Sequence, residues 1–293
     1  MTERAVFRGL GTAMATPFAE DGIDEGLLVA RIAFQIAHGI DALILLGTTG
    51  EAASVTASER RRIVSAGARA IDGRVPMIVG TGSNCTREAV EMAHRAQDGG
   101  ADALLVVTPH YNRPSQAGLL GHFFAIAEAA TVPVILYNVP MRTGVNLRPE
   151  TTAQLASHPR IVGLKEANPD LTQLAHTAAL VDASFSLYIG NDEQIIPAMA
   201  LGAAGAVSVA SNLFPDDFRA IAALSLAQRF DEARAVQRKY LTLMALLSQE
   251  TNPQPLKAAM EALGMDSGRL RLPLASVDSA LNGRIREALA ALT

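Results

Sequence analysis

The chain has 293 residues, 49% of them hydrophobic, and its 25 Lys and Arg against 29 Asp and Glu leave a net charge of -4. That length and apolar content suit one large α/β barrel or two modest domains. The scattered charges form no basic stripe of the kind a phosphate backbone requires, so nucleic acid is not an expected partner. A single cysteine, Cys85, leaves no internal disulfide framework and no thiolate metal cluster.

In chain order, Glu3, Arg4 and Arg8 interrupt any apolar leader, so no secretory signal is expected. The first buried strand is predicted in GLGTAMATP (9–17). A helix follows from Asp24 to Gly39, then a strand in ALILLGTTGE (42–51). The next helix opens on a capping box, Thr56 with Glu59 three residues on, and stops at Gly73. Further apolar runs lie at PMIVGTGS (76–83), ALLVVTPHYN (103–112), PVILYNVP (133–140), IVGLKEA (161–167), SLYIGND (186–192) and GAVSVAS (205–211). The weakly polar run 195–210 is too short and too broken by Pro and Gly to span a bilayer, and a cytoplasmic setting is expected.

Eight apolar strands alternating with helices imply a parallel sheet, and Gly-x-Asp-Ala recurs before the strands near residues 40 and 101. The fold expected is an α/β class (β/α)8 TIM barrel over residues 1–225, with a C-terminal helical region over 226–293. A doubly wound sheet is the competing architecture. Its Gly-x-Gly-x-x-Gly fingerprint is matched only weakly by GLGTAM, and GTGSN lacks the Lys-Ser/Thr of a phosphate-binding loop.

In a parallel barrel, reactive groups sit at the C-terminal ends of strands. Among the polar residues there, including Thr16, Thr81, Thr108, Asn191 and Asp192, most would cap helices or satisfy turns. Lys165 differs, because the chain has only two other lysines, Lys239 and Lys257, and this one ends an apolar run. Such a lysine can reach solvent or pair with an acid. Glu166 is a poor partner, since adjacent strand residues face opposite ways. A buried amine without a close acid is disfavoured as ammonium and can attack a carbonyl as a Schiff-base nucleophile. GTTGE could supply a carboxylate cradle: Gly47 and Gly50 allow close backbone approach, and Thr48 and Thr49 add hydroxyls. Tyr137 ends the strand before Lys165, and Arg142 in VPMRTG has the fork geometry for a carboxylate. Alone, each fits a glycine turn, a half-buried tyrosine or a solvated loop arginine.

Taken together, GTAMATPF, GTTGEA, GTGSN, TPHYNRPSQ, YNVPMRTG, GLKEA, GND, GAVSVASN, NPQPLK and RLPL resemble the dihydrodipicolinate synthase and N-acetylneuraminate lyase family of class I aldolases, over nearly the whole chain. The Arg-Thr-Gly after YNVP points to its synthase branch. The resemblance implies that Lys165 forms an imine with pyruvate, whose carboxylate the Thr48 and Thr49 region holds. It implies that Tyr137 relays protons, that Thr48 links it to Tyr111 reaching from a partner subunit, and that Arg142 binds the carboxylate of L-aspartate 4-semialdehyde. Gly190 and Val207 match positions lining the pyruvate pocket.

No metal and no organic cofactor is implied, and the implied assembly is a homotetramer of paired dimers. Feedback by lysine is expected to be weak or absent. Asn84 and Glu88 match the family's lysine site, but Ala57 and Arg60 replace histidines and His110 replaces a tyrosine. The alternatives are another pyruvate-dependent aldolase or dehydratase acting on a sugar-derived or hydroxylated keto acid, and a keto-acid-binding barrel without turnover. The histidines form no metal-spaced cluster and read as structural.

Overall fold

A computed structural model describes residues 5–292. Eight parallel strands close on themselves: β1 (Gly9–Ala13), β2 (Ala42–Leu45), β3 (Met77–Gly80), β4 (Ala103–Val107), β5 (Val134–Asn138), β6 (Ile161–Glu166), β7 (Ser186–Ile189) and β8 (Gly205–Ser208). Each pairs with its sequence neighbours, and β8 completes the ring on β1 with Val207 opposite Gly11. The strands read as continuous apolar runs because both faces are covered. Every strand residue except Val107 is buried. Ile44, Leu105, Ile135, Tyr137, Val162 and Val207 point into the barrel, while Leu43, Leu45, Leu104 and Val106 pack outward against helices. Phe7 stacks on Tyr188 at 4.4 Å and accepts its hydroxyl proton at 2.9 Å, filling the barrel ahead of β1.

Around the barrel run α1 (Glu25–Ala37), α2 (Ala57–Ile71), α3 (Thr86–Asp98), α4 (Gln116–Ala129), α5 (Pro149–Ala156), α6 (Leu171–Leu180), α7 (Ile195–Ala200) and α8 (Pro215–Leu226). Their ends follow local chemistry. Asp24 caps α1 by accepting from the Leu27 amide, and Thr56 and Glu59 form the expected reciprocal box on α2. The expected (β/α)8 architecture is therefore present.

The chain continues in α9 (Phe230–Leu247), α10 (Gln254–Ala262) and α11 (Ser279–Ala290). α9 docks through Tyr240, whose ring lies against Phe214 and Phe218 and whose hydroxyl donates to Asp217 at 2.7 Å. The proposed division at residues 225 and 226 falls at the end of α8. One feature differs from a purely helical extension: between α10 and α11 the chain forms an irregular arm. Gly264, with a left-handed φ of 67°, ends α10, and Gly268 at 70° turns the arm beyond it. Arg271 to Leu274 then lie at the barrel mouth.

The mouth is tightly packed beneath the Gly47–Gly50 turn. A Cβ at Gly80 would fall 2.0 Å from the Leu46 carbonyl oxygen, whereas one at Gly121, in the middle of α4, would meet open space. Gly80→Ala is expected to cost about 3 kcal/mol through backbone displacement, and Gly121→Ala to gain about 0.5–1 kcal/mol in helix propensity. Urea unfolding of the two variants checks this, and equal effects would contradict it.

Candidate active site

The register of β5 and β6 sets Tyr137 directly beside Lys165, and Asn138 beside Glu166. Tyr137 and Lys165 face inward, and Lys165 Nζ lies 4.4 Å from the centre of the Tyr137 ring. The lysine is 6% exposed. It opens into a cavity of about 410 Å³ lined also by Thr48, Thr49, Arg142, Gly190, Asp192 and Asn252. Gly190 is a glycine for a local reason: a Cβ there would stand 2.8 Å from Lys165 Cε.

Strand alternation sends Glu166 the other way, as expected. Its carboxylate is enclosed by donors: Asn138 Nδ2 at 3.0 and 3.1 Å, the Asn168 amide at 2.7 Å and Gln173 Nε2 at 3.1 Å. Burial pushes this carboxyl up to about 7, and those donors pull it back. Asn138 also accepts from the Leu147 amide at 2.9 Å, and Thr143 donates to Val145 O at 3.0 Å. The network behind Lys165 thus shapes the loop that carries Arg142.

The GTTGE segment forms a tight turn, with the Gly50 and Glu51 amides donating to Gly47 O and Thr48 O at 3.1 and 3.0 Å. Its flanks, Leu46 and Glu51, both adopt left-handed φ values, 56° and 50°. Among the described residues, none accepts from the Thr48 or Thr49 amide. Two backbone donors beside a primary amine can receive a carboxylate.

Arg142 is exposed at the rim, where Nη2 donates to Asn252 O at 3.3 Å. Asn252 Nδ2 donates to Thr49 Oγ1 at 2.9 Å, which leaves the buried Asn252 Oδ1 without a partner. Asp192 Oδ2 accepts from the Val209 and Ala210 amides at 3.1 and 2.9 Å. Burial raises this carboxyl from its ordinary value, against the pull of its hydrogen bonds and of Lys165 nearby.

Of the expected site residues, Lys165, Tyr137, Thr48, Thr49, Arg142 and Gly190 share one cavity. Val207 is buried in the same interior cluster as Tyr137. Tyr111 is not brought to this cavity: it is 87% exposed, with a left-handed φ of 70°. Asn252 escaped the sequence reading, although NPQPLK was among the resembling segments. Asp192 stood among the strand-end residues without a role. Among the described residues, no group of three His, Cys, Asp or Glu could hold a metal ion, and no helix is long and apolar enough to cross a membrane.

Residues 6–292 match the model of the dihydrodipicolinate synthetase family. A 4-hydroxy-tetrahydrodipicolinate synthase of Alkaliphilus oremlandii is 44% identical over 273 residues, 93% of this chain and 94% of the relative. The crystal structure of dihydrodipicolinate synthase from Thermotoga maritima superposes with a TM-score of 0.95 at 39% identity, covering 98% of both chains. A monomeric dihydrodipicolinate synthase variant gives a TM-score of 0.96 at 38% identity, covering 98% and 97%.

Because the raised Glu166 carboxyl binds its proton more tightly folded than unfolded, its favourable contribution is full below about pH 4.5 and is lost as pH rises through about 7. Relative to wild type, Glu166→Gln is expected to gain up to about 3 kcal/mol of unfolding free energy between pH 5 and 8. Parallel urea titrations read the difference, and curves that stay parallel across that range would refute it.

Proposed function

The chain belongs to the dihydrodipicolinate synthetase family, and from that premise we propose the roles of its residues in the family reaction. The protein is a lyase that condenses pyruvate with L-aspartate 4-semialdehyde in lysine and diaminopimelate biosynthesis. The observation that carries the assignment is the buried Lys165 amine set over Tyr137, in a cavity also lined by Thr48 and Thr49, whose amides no described residue accepts from, and with Arg142 at the rim.

Lys165 attacks the keto carbon of pyruvate, and loss of water gives the imine. The Thr48 and Thr49 amides hold the pyruvate carboxylate. The imine draws electron density from the methyl carbon, so a proton leaves it and an enamine forms. The enamine carbon attacks the aldehyde, whose own carboxylate is held by Arg142. The substrate's amine then attacks the imine carbon, closes the ring and releases Lys165. Tyr137 is the proton carrier beside the amine in these steps. Gly190 leaves room for the lysine chain, and Val207 belongs to the buried barrel interior that also holds Tyr137. An amine nucleophile with a neighbouring phenol exceeds what a keto-acid-binding barrel without turnover needs.

We place the reaction in the cytoplasm and the chain in a homotetramer of paired dimers, with Tyr111 reaching the cavity of a partner copy. Its exposure and its position outside its own cavity support this. Weak or absent lysine feedback is supported by Arg60. Its half-buried guanidinium donates to the Ala52 carbonyl at 2.6 Å, a fixed positive charge at a position where the resemblance implies a histidine in lysine-sensitive members.

Borohydride reduction in the presence of pyruvate, followed by peptide mapping, is expected to label Lys165; label elsewhere, or none, would sink the imine assignment. Arg142→Ala is expected to keep imine trapping while its kcat/KM for the aldehyde falls roughly 100-fold, the worth of a charge-assisted pair. In the same coupled assay, submillimolar lysine should leave the rate unchanged, and inhibition there would overturn the feedback reading. Sedimentation velocity should give a tetramer that Tyr111→Phe keeps assembled but slows; a fully active monomer would refute the shared site.

A further inference from the structure

The segments NPQPLK and RLPL lie outside the barrel, and the reaction steps use neither Lys257 nor Arg271. Yet both residues converge on the far end of the carboxylate cradle. Lys257 Nζ sits 2.7 Å from Glu51 Oε1, with both side chains withdrawn from solvent. It also donates to Arg269 O at 2.6 Å and stands 4.2 Å over the Phe18 ring. The Arg271 amide donates to Glu51 Oε2 at 3.2 Å, so each carboxylate oxygen is met from the C-terminal region. The Arg271 guanidinium spans to Glu59 at 2.8 and 2.5 Å, and this pairing holds the Glu59 carboxyl down at about 2.

Glu51 is the residue whose amide closes the Thr48–Glu51 turn, and its backbone is left-handed without being glycine. That conformation is unfavourable for a residue with a side chain and persists only where surrounding contacts enforce it. The ion pair is such a contact. It reaches from α10 to the turn and fixes the chain immediately after Thr48 and Thr49, which line the cavity and whose amides no described residue accepts from. Burial lowers the Lys257 ammonium's affinity for its proton, and the Glu51 carboxylate offsets part of that effect.

We infer that Lys257 is a positioning residue for the keto-acid carboxylate: paired with Glu51, it holds the Gly47–Glu51 turn in the shape that presents the Thr48 and Thr49 amides. This rests on the assignment of pyruvate's carboxylate to that turn. The helical extension is in consequence part of the substrate-binding apparatus, acting through the turn without touching substrate.

The test is the pyruvate dependence of borohydride trapping and of steady-state turnover in the full-length protein. In Lys257→Met, the pyruvate concentration for half-maximal trapping and the KM for pyruvate are expected to rise roughly tenfold, as a displacement of about an ångström in a binding group would produce. Both kcat at saturating pyruvate and KM for the aldehyde should stay within about twofold. The isosteric Glu51→Gln, which leaves no naked carboxylate buried, should raise the same two pyruvate values roughly threefold and keeps the test readable where Lys257→Met fails to fold. A purely structural role would lower the melting temperature and leave the pyruvate values of the folded enzyme at the wild-type level; that result in either variant overturns the proposal. Wild-type protein run alongside separates the two levels. Absence of pyruvate trapping there refutes the site assignment itself, whereas normal trapping with unshifted variants refutes only the role of Lys257.

Discussion

Closure of eight parallel strands into a ring decides where every functional group in this chain can stand. Parallel pairing puts all strand C-termini at one end, and the register of β5 on β6 then fixes Tyr137 beside Lys165 with no further instruction. The same pairing dictates that Glu166 point outward. A carboxylate next to the lysine in sequence is thereby removed from it in space and satisfied by Asn138, Asn168 and Gln173. A one-residue slip would exchange the two and place the acid in the cavity.

Tight backbone approach is the second constraint, and it follows from the first. Strands that converge at the mouth leave no room for a Cβ at Gly80 beneath Leu46, or at Gly190 beside the lysine chain. The glycine-threonine turn between Leu46 and Glu51 is accordingly bounded by two left-handed residues, each costing about 1–3 kcal/mol. Strain of that size has to be offset by the surroundings. Here the offsetting contacts come from outside the barrel, through Asn252 on Thr49 and through Lys257 and Arg271 on Glu51.

That division explains what the sequence makes legible. The eight strands, the capping box at Thr56 and the inward pairing of Tyr137 with Lys165 all rest on local periodicity or nearest-neighbour register, which a single chain displays. The partners supplied by the extension do not. Asn252 lies 203 residues from Thr49, and the arm holding Arg271 has no periodicity that announces its path. The glycine that ends α10, Gly264, is visible in the sequence, but where the chain goes next depends on the shape of the mouth. Tyr111 is a related case, since the role proposed for it depends on a surface that one chain cannot supply.

Lysine usage ties these threads together. Only three lysines occur among 25 basic residues, and two of them, Lys165 and Lys257, are buried at opposite sides of one turn, while Lys239 is exposed. Rarity therefore flags both, and it cannot tell them apart. Their surroundings do. Lys257 meets a carboxylate and a carbonyl, an arrangement that engages its nitrogen with protein partners and turns it away from the cavity. Lys165 has an aromatic face, a cavity and a neighbouring acid turned away by strand geometry, which leaves its nitrogen to the substrate. In the roles proposed, one buried lysine fastens the turn and the other reacts beside it, and the difference lies in whether the nitrogen is held by protein partners or opens into the cavity.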